Sequence, residues 1–474
     1  MNTEELIRGR FKLGKTCALI LAAGEGKRMG GRRPKVLCEV LFEPMLGWVL
    51  RSCAQAGIAD CCVVVGSNKE AVVSYLGGQA QVAEQMEQKG TGHAVLSAKA
   101  FLEEHKDADV VVLCGDAPFM DAKTLSDALK VHRKEDAALT MVTTRMKNPT
   151  GYGRILRENG ALLGIVEEKD ASADQKRITE INSGAYWFRA QDLLSAVQRL
   201  SPENEQGEYY LTDAVRTLLS DGKRVVTVEA IYPYVAMGAN TPTDLYQLNE
   251  IATRAIIGTH MKNGVEFIAK DGILISPTVQ IGKGTRILPG VILRGNTVIG
   301  ENCVIGPNAL IEDGVIGDCT VVNATQIYQS RVESNVKIGP YCHIRPGSVI
   351  QHDVKIGDFV ETKNSVIGPG TAVSHLTYVG DSNVGKNVNI GCGVVTVNYD
   401  GVKKNRCTIE DGAFIGCNTN LIAPVTVGEN GYTAAGSTIT RDVPSEALGI
   451  TRSKQRIIKG FSLKKLAGRK KKVD

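Results

Sequence analysis

Three stretches of the sequence carry side chains that packing alone does not call for. The first is VSHLTYVGD, Val373–Asp381, where His375 and Tyr378 interrupt a region built otherwise of small and aliphatic residues. An imidazole exchanges a proton near neutral pH. Nearby segments add cations and polar groups: Arg345 in HIRPG, Lys363 in VETKNS, Asn389 in NVNIG, and Asn398, Tyr399 and Lys404 in NYDGVKK. A base beside several cations suits proton transfer next to an anionic ligand.

The second stretch is LAAGEGKRMGGRRPKVL, Leu21–Leu37. Glycines at 24 and 26 let backbone N–H groups face a phosphate chain, and Arg28 and Lys35 place two cations near the same point. No G-K-[ST] follows, so the loop is not a P-loop, and the G-x-G-x-x-G spacing of a dinucleotide fold is missing. In the third stretch, VVVLCGDAP, an apolar run ends on Asp116. A carboxylate just past a buried strand is suited to Mg²⁺, which takes hard oxygen ligands and keeps several waters. The bland reading is an ordinary turn before Pro118.

Two different rhythms must position these groups. From about Thr16 to Asn240, β-type runs (CALILAAG, CCVVVG, VVVLCGD, ALTMVTTR, GAYWFRA) alternate with helical stretches (LGWVLRSCAQAG, AKTLSDALKVHRK). That alternation predicts an α/β domain with a mainly parallel, Rossmann-like sheet covered on both faces, and ligands at the strands' carboxyl ends. Thr241–Gly264 reads as a connecting helix. Beyond it, Ile275, Ile281, Ile287, Leu293, Ile299, Ile305 and Ile311 are spaced six apart. The spacing returns at Val332–Ile356 and at Ile409–Val427. A strict six-residue period with an aliphatic anchor is the hexapeptide repeat of a parallel β-helix, with small or permissive residues at the corners. The register breaks at VNYDGVKKNRCT, and loops inserted in a solenoid fall on its binding face.

Length and composition set limits. A chain of 474 residues, 43% hydrophobic, accommodates two or three domains with real cores. No apolar run approaches the roughly 18 residues of a membrane span, and the N-terminus lacks an apolar signal core, so a cytoplasmic protein without membrane contact is expected. None of the 12 cysteines forms a C-x-x-C pair, which argues against structural zinc or a disulfide framework. Cys17 and Cys114 lie in apolar runs, where cysteine acts as a small hydrophobe. The net charge of +5 hides a basic tail: Arg452–Asp474 carries ten Lys or Arg and one Asp. A solvated, mobile end is the expectation there, with no nucleic-acid partner.

The string L-A-A-G-x-G-x-R-M followed by P-K resembles the signature of sugar-1-phosphate nucleotidyltransferases, with Lys27 where that pattern usually has Thr. Together with the hexapeptide region, residues from about 17 to 460 resemble the bifunctional UDP-N-acetylglucosamine pyrophosphorylase and glucosamine-1-phosphate N-acetyltransferase family, and GEYYLTD, Gly207–Asp213, is also a segment of that family. The resemblance implies an N-terminal extension (1–16), a uridylyltransferase domain (17–240), a linker helix (241–264), a left-handed β-helix acetyltransferase domain (265–459) and a basic tail (460–474). It implies a homotrimer with acetyl-transfer sites between neighbouring solenoids, and a role in bacterial cell-wall synthesis.

For the first domain the resemblance implies that Leu21, Ala22, Gly24, Gln85, Gly90 and Thr91 hold the UTP nucleotide. Gly153, Glu167 and Asn182 would contact the sugar phosphate, Asp116 and Asn240 would bind Mg²⁺, and Lys35 and Arg28 would stabilise the transferring phosphates. For the second domain it implies His375 as general base and Arg345, Lys363, Tyr378, Asn389 and Lys404 as contacts to glucosamine-1-phosphate. Tyr378, Asn389 and Asn398 suit sugar hydroxyls. Cys392, Asn398, Tyr399, Cys417, Ala435 and Arg452 would line the acetyl-CoA site, with Cys417 replacing the usual Ser and Cys392 the usual Ala. The product would be UDP-N-acetylglucosamine, made through N-acetylglucosamine-1-phosphate. One alternative is a sugar-1-phosphate nucleotidyltransferase whose β-helix only trimerises or regulates. Another is a non-catalytic scaffold that kept the fold.

Overall fold

The structure is a computed structural model and describes residues 15–24, 26, 29, 33–66 and 69–470. The chain divides into two compact units, Met1–Arg254 and Ala255–Asp474. The division falls inside one helix, Pro242–Lys262.

The first unit is built on β1 (Thr16–Ala22), β2 (Asp60–Val65), β3 (Gln81–Glu84), β4 (Asp109–Cys114), β5 (Leu139–Arg145), β6 (Arg154–Glu158), β7 (Ala161–Val166), β8 (Glu180–Arg189) and β9 (Val225–Glu229). The sheet order is β9-β5-β8-β4-β1-β2-β3, with the β6–β7 hairpin hydrogen-bonded to β8. β4, β1, β2 and β3 run parallel, as do β9 and β5, whereas β8 runs antiparallel to both its neighbours. Alternation along β1 feeds two cores. Cys17 and Leu19 join one cluster with Val64, Val112 and Phe188, and Ala18 and Ile20 join the other with Val63, Val111 and Trp187. A sheet covered on both faces requires this double burial, which is why its strands read as continuous apolar runs. Cys114 departs from the expectation of a core hydrophobe: it closes β4 half-buried, beside open space.

The second unit is a parallel β-solenoid of two- to nine-residue strands, beginning at Glu266–Phe267 and ending at Leu448–Gly449. Successive coils pair in register. Arg286 and Ile287 pair with Val304 and Ile305, and those with Val321 and Val322. The aliphatic anchors, Ile287 through Val427, are buried in one continuous cluster. Ile281 is the exception and is half-buried. Its strand is the first of its sheet, so no coil covers it from below. Buried hydroxyls of Thr285, Thr371 and Thr377 donate to backbone carbonyls of the next coil, so burial leaves these corner groups paired. The period is not strictly six. Most coils advance by 16 to 18 residues, the first by 20 where Glu266 pairs with Arg286, and one by 25 where Ser382 pairs with Cys407.

Two strands, Lys355–Lys363 and Ala372–Gly380, run unbroken around a corner and pair along their whole length. The bends sit at Phe359 (φ +58°) and Leu376 (φ +35°), both non-glycine residues in the left-handed region. The basic tail contains a helix, Phe461–Lys470, with Phe461, Leu463 and Leu466 exposed. No helix among the described residues is long and apolar enough to cross a membrane.

Candidate functional sites

In the first unit a cavity of about 330 Å³ opens at the carboxyl ends of β1, β3 and β4. Its lining includes Leu21, Ala22, Gly24, Lys35, Gln85, Gly90, Thr91 and Asp116, which the sequence singles out from three separate segments. Gly26 has φ +62°, and a Cβ there would lie 2.7 Å from the Lys35 Cβ, so the loop and Lys35 pack only because residue 26 lacks a side chain. At Gly24 a Cβ would meet no protein atom. Gly90 (φ +100°) admits no Cβ either, since it would sit 2.7 Å from the Tyr209 carbonyl oxygen. The Gln85 side chain is buried and donates to the Gly90 carbonyl at 3.1 Å, while Thr91 Oγ1 accepts from Leu211 N at 3.0 Å. Arg28 lies outside the described residues.

One cation and two side-chain oxygens meet at the cavity's Lys35. Lys35 Nζ donates to Asn240 Oδ1 at 2.7 Å and forms an ion pair with Asp116. Gly153, Glu167 and Asn182 form an adjoining group. Asn182 N donates to the Gly153 carbonyl at 2.9 Å, and a Cβ on Gly153 would reach Glu167 Oε2 at 3.3 Å. Burial pushes the Glu167 carboxyl up, against the hydrogen bond it accepts from Thr212 Oγ1 at 2.9 Å. Burial likewise raises the Cys114 thiol, to about 12, so it stays protonated as part of the wall. Cys114, Gln88 and Glu208 also line the cavity, although the sequence assigned none of them to a ligand. Gln88 holds the loop after β1 by donating to the Ala23 carbonyl at 2.6 Å.

In the second unit His375 stands at the solenoid corner, exposed, with Nδ1 2.8 Å from Asp358 Oδ1 of the preceding coil. Past the corner three cations gather. Arg345 pairs with Glu361 at 2.7 Å, and the Lys363 and Lys404 ammonium groups approach each other closely enough that Lys404, with help from Arg345, lowers the Lys363 pKa. Tyr378 lies in register with Glu361 of that coil. Beneath them Asp381 is buried and accepts from Asn364 and Asn398. Burial opposes its charge, but those two amides and the charges of Lys404 and Lys363 hold its carboxyl below the usual range. Asn398 is therefore buried with one amide N–H donated to Asp381, which fixes the orientation of its side chain.

Tyr399 and Lys404 pair across the inserted loop, and Asp400 accepts from Val402 N and Lys403 N, which fixes the loop's turn. Coil register places His375, Cys392, Cys417 and Ala435 in one column on successive coils, carried round the corner by Gly393 N to Leu376 O, Asn418 N to Cys392 O and Gly436 N to Cys417 O. Both cysteines are exposed, and Arg452 Nη1 donates to the Ala435 carbonyl at 3.0 Å. Asn389 does not join the cation cluster within the chain. It sits on the face before the corner, stacked between Ala372 and Phe414. Asp358, Glu361 and Asp381 escaped the sequence reading. Asp358 is 17 residues before His375, one coil length, and that offset is the signal that would have found it.

Comparison with known proteins agrees with this division. Residues 17–232 match the nucleotidyl transferase family, and residues 278–313 and 329–364 match the bacterial transferase hexapeptide family. Bifunctional protein GlmU of Acetivibrio thermocellus is 47% identical over 94% of this chain and 97% of its own length. GlmU proteins of Halalkalibacterium halodurans (43%, over 92% of this chain and 96% of its own) and Listeria monocytogenes (44%, over 94% and 97%) are similarly related. On identity and coverage of this order, the chain belongs to the family of bifunctional protein GlmU.

Proposed function

We propose that this chain makes UDP-N-acetylglucosamine in two reactions, one in each unit. The solenoid transfers the acetyl group of acetyl-CoA to the amine of glucosamine-1-phosphate. The α/β unit then transfers the uridylyl group of UTP to N-acetylglucosamine-1-phosphate and releases pyrophosphate. The observation that carries the reading is the gathering of Arg345, Lys363 and Lys404 past the corner that bears His375. Glu361 and Asp381 set two carboxylates against these three cations, so net positive charge remains to face an anion, and a solenoid that only stacks has no use for it.

In acetyl transfer the three cations hold the sugar phosphate and Tyr378 lies against the sugar. As the substrate nitrogen attacks the thioester carbonyl, His375 takes its proton, and when the C–S bond breaks it returns that proton to the leaving thiolate, so the coenzyme departs as thiol. The column Cys392, Cys417, Ala435 and Arg452, with Asn398 and Tyr399, flanks the path of the coenzyme. In uridylyl transfer a phosphate oxygen of N-acetylglucosamine-1-phosphate attacks the α-phosphorus of UTP in line. Gln85, Gly90 and Thr91 hold the base, and backbone groups of Leu21, Ala22 and Gly24 face the phosphates. Gly153, Glu167 and Asn182 orient the sugar. Lys35, with Arg28, meets charge on the transferring group and on pyrophosphate, so catalysis is positioning and electrostatics with no side-chain nucleophile.

Asp116 and Asn240 fit Mg²⁺. Their oxygens already converge on one cation, the Lys35 ammonium. No group of three or more His, Cys, Asp or Glu among the described residues could hold a metal, and two protein oxygens completed by phosphates and water is the usual Mg²⁺ arrangement. Bound there, the ion would neutralise phosphate charge.

We further propose a homotrimer acting on these small molecules in the cytoplasm. Two features support assembly. Asn389 lies off its own chain's cation cluster, and Tyr341, Phe359 and Leu376 form an exposed apolar ridge on three successive corners. The test of function is direct: protein supplied with glucosamine-1-phosphate, acetyl-CoA, UTP and Mg²⁺ yields UDP-N-acetylglucosamine by mass spectrometry. Omitting acetyl-CoA leaves none. Failure to release pyrophosphate from UTP even with N-acetylglucosamine-1-phosphate would overturn the reading.

A further inference from the structure

We infer that Asp358 is a positioning residue for acetyl transfer: it fixes the tautomer and orientation of His375. The inference rests on the acetyltransferase reading above. Asp358 and His375 are register partners on the two strands that run through the corner, and each immediately precedes the left-handed bend residue of its coil. The backbone therefore brings the pair together wherever either side chain points. The contact itself is Asp358 Oδ1 to His375 Nδ1 at 2.8 Å.

An ionised carboxylate only accepts hydrogen bonds, so in this contact Nδ1 carries the proton and Nε2 keeps its lone pair. The His375 hydrogen bond is the main influence holding the Asp358 carboxyl below the usual carboxylate range, with Lys355 of the same strand adding to it. The carboxylate form, the one that must accept, is thus the form present in the working range. An unpartnered imidazole samples both tautomers and rotates freely, and this ring is 60% exposed within its own chain. When Nε2 takes the substrate proton, the resulting imidazolium faces a carboxylate rather than water alone. Exposure limits the effect: a buried His–Asp pair is worth about 10⁴ in kcat, and an open one less.

The test is Asp358→Asn, which keeps shape and removes charge, assayed in the full-length protein. The expected result is a fall in acetyl-transfer kcat of about tenfold to a hundredfold. KM for glucosamine-1-phosphate and acetyl-CoA should stay within about threefold, and uridylyl transfer in the same sample should be unchanged. In a His375→Ala background the Asp358→Asn change should cost nothing more, because its only route to the reaction is gone. An Asp358→Asn enzyme with kcat within twofold of wild type overturns the inference, as does a loss equally large with and without His375. Wild-type protein inactive in acetyl transfer would instead overturn the underlying functional reading.

Discussion

Lys35 and Asn240, 205 residues apart in sequence, are joined by a hydrogen bond from Nζ to Oδ1 at 2.7 Å, and Asp116 pairs with the same ammonium. The relationship shows how the first unit uses its fold. The loop after one parallel strand, the turn after its neighbour and the start of the long helix supply one cation and two oxygens to a common point. Any phosphate entering the cavity meets a centre already arranged for charge.

Removing Asp116 takes away one proposed magnesium oxygen and the partner of Lys35. Asp116→Ala should lower uridylyl transfer by at least about a hundredfold. Acetyl transfer should remain within twofold, and chelation with EDTA should separate the two activities in the same way. Pyrophosphate release and acetylated sugar, assayed on one preparation, check this. Loss of both activities in folded protein would contradict two independent sites.

The lysine pair gives a pH dependence. Lys404, then Arg345, disfavours the charged form of Lys363, so its pKa is lowered. As pH rises, Lys363 should lose its proton before an ordinary lysine would. KM for glucosamine-1-phosphate should therefore climb on the alkaline side. Lys363→Arg, which does not titrate there, should flatten that climb. An unchanged alkaline limb in the Arg variant would remove Lys363 from the phosphate contact.

Gly90 tests whether local backbone shape positions the nucleotide wall. Gly90→Ala puts a methyl 2.7 Å from the Tyr209 carbonyl and forces a left-handed residue, at an expected cost of about 1–3 kcal/mol. Thermal unfolding of the first unit should shift down and KM for UTP should rise, with acetyl transfer unaffected.

Assembly is tested by sedimentation. The expected species is a trimer, and replacing Phe359 on the corner ridge by Asp should yield monomer lacking acetyl transfer while retaining uridylyl transfer. Monomer that still acetylates would refute sites shared between chains.

The fold was largely legible because both rhythms are set by burial. Anchors six apart must point inward, and a doubly covered sheet must read as apolar runs. What escaped depended on which residues the coils bring together. Asp358 sits one coil before His375, invisible to a reading that moves along the chain. Asn389 is close to Tyr378 in sequence yet lies on another face, because a corner intervenes. The hydrogen bond from Asn398 to buried Asp381, 17 residues earlier, likewise depends on coil stacking. In the first unit, Gln88 and Glu208 reach the cavity from loops whose path no periodicity encodes, and Cys114 hid within a strand whose last residue happens to face open space.

The central claim is that the solenoid is an enzyme as well as a scaffold. The most direct measurement is production of N-acetylglucosamine-1-phosphate from glucosamine-1-phosphate and acetyl-CoA, followed by mass spectrometry, for wild type and His375→Ala. The account predicts product from wild type, and a fall of at least about a hundredfold in a variant that still assembles and still releases pyrophosphate from UTP. Equal acetylation by both proteins would remove His375 from the reaction. Absence of product from wild type would leave the solenoid as architecture alone.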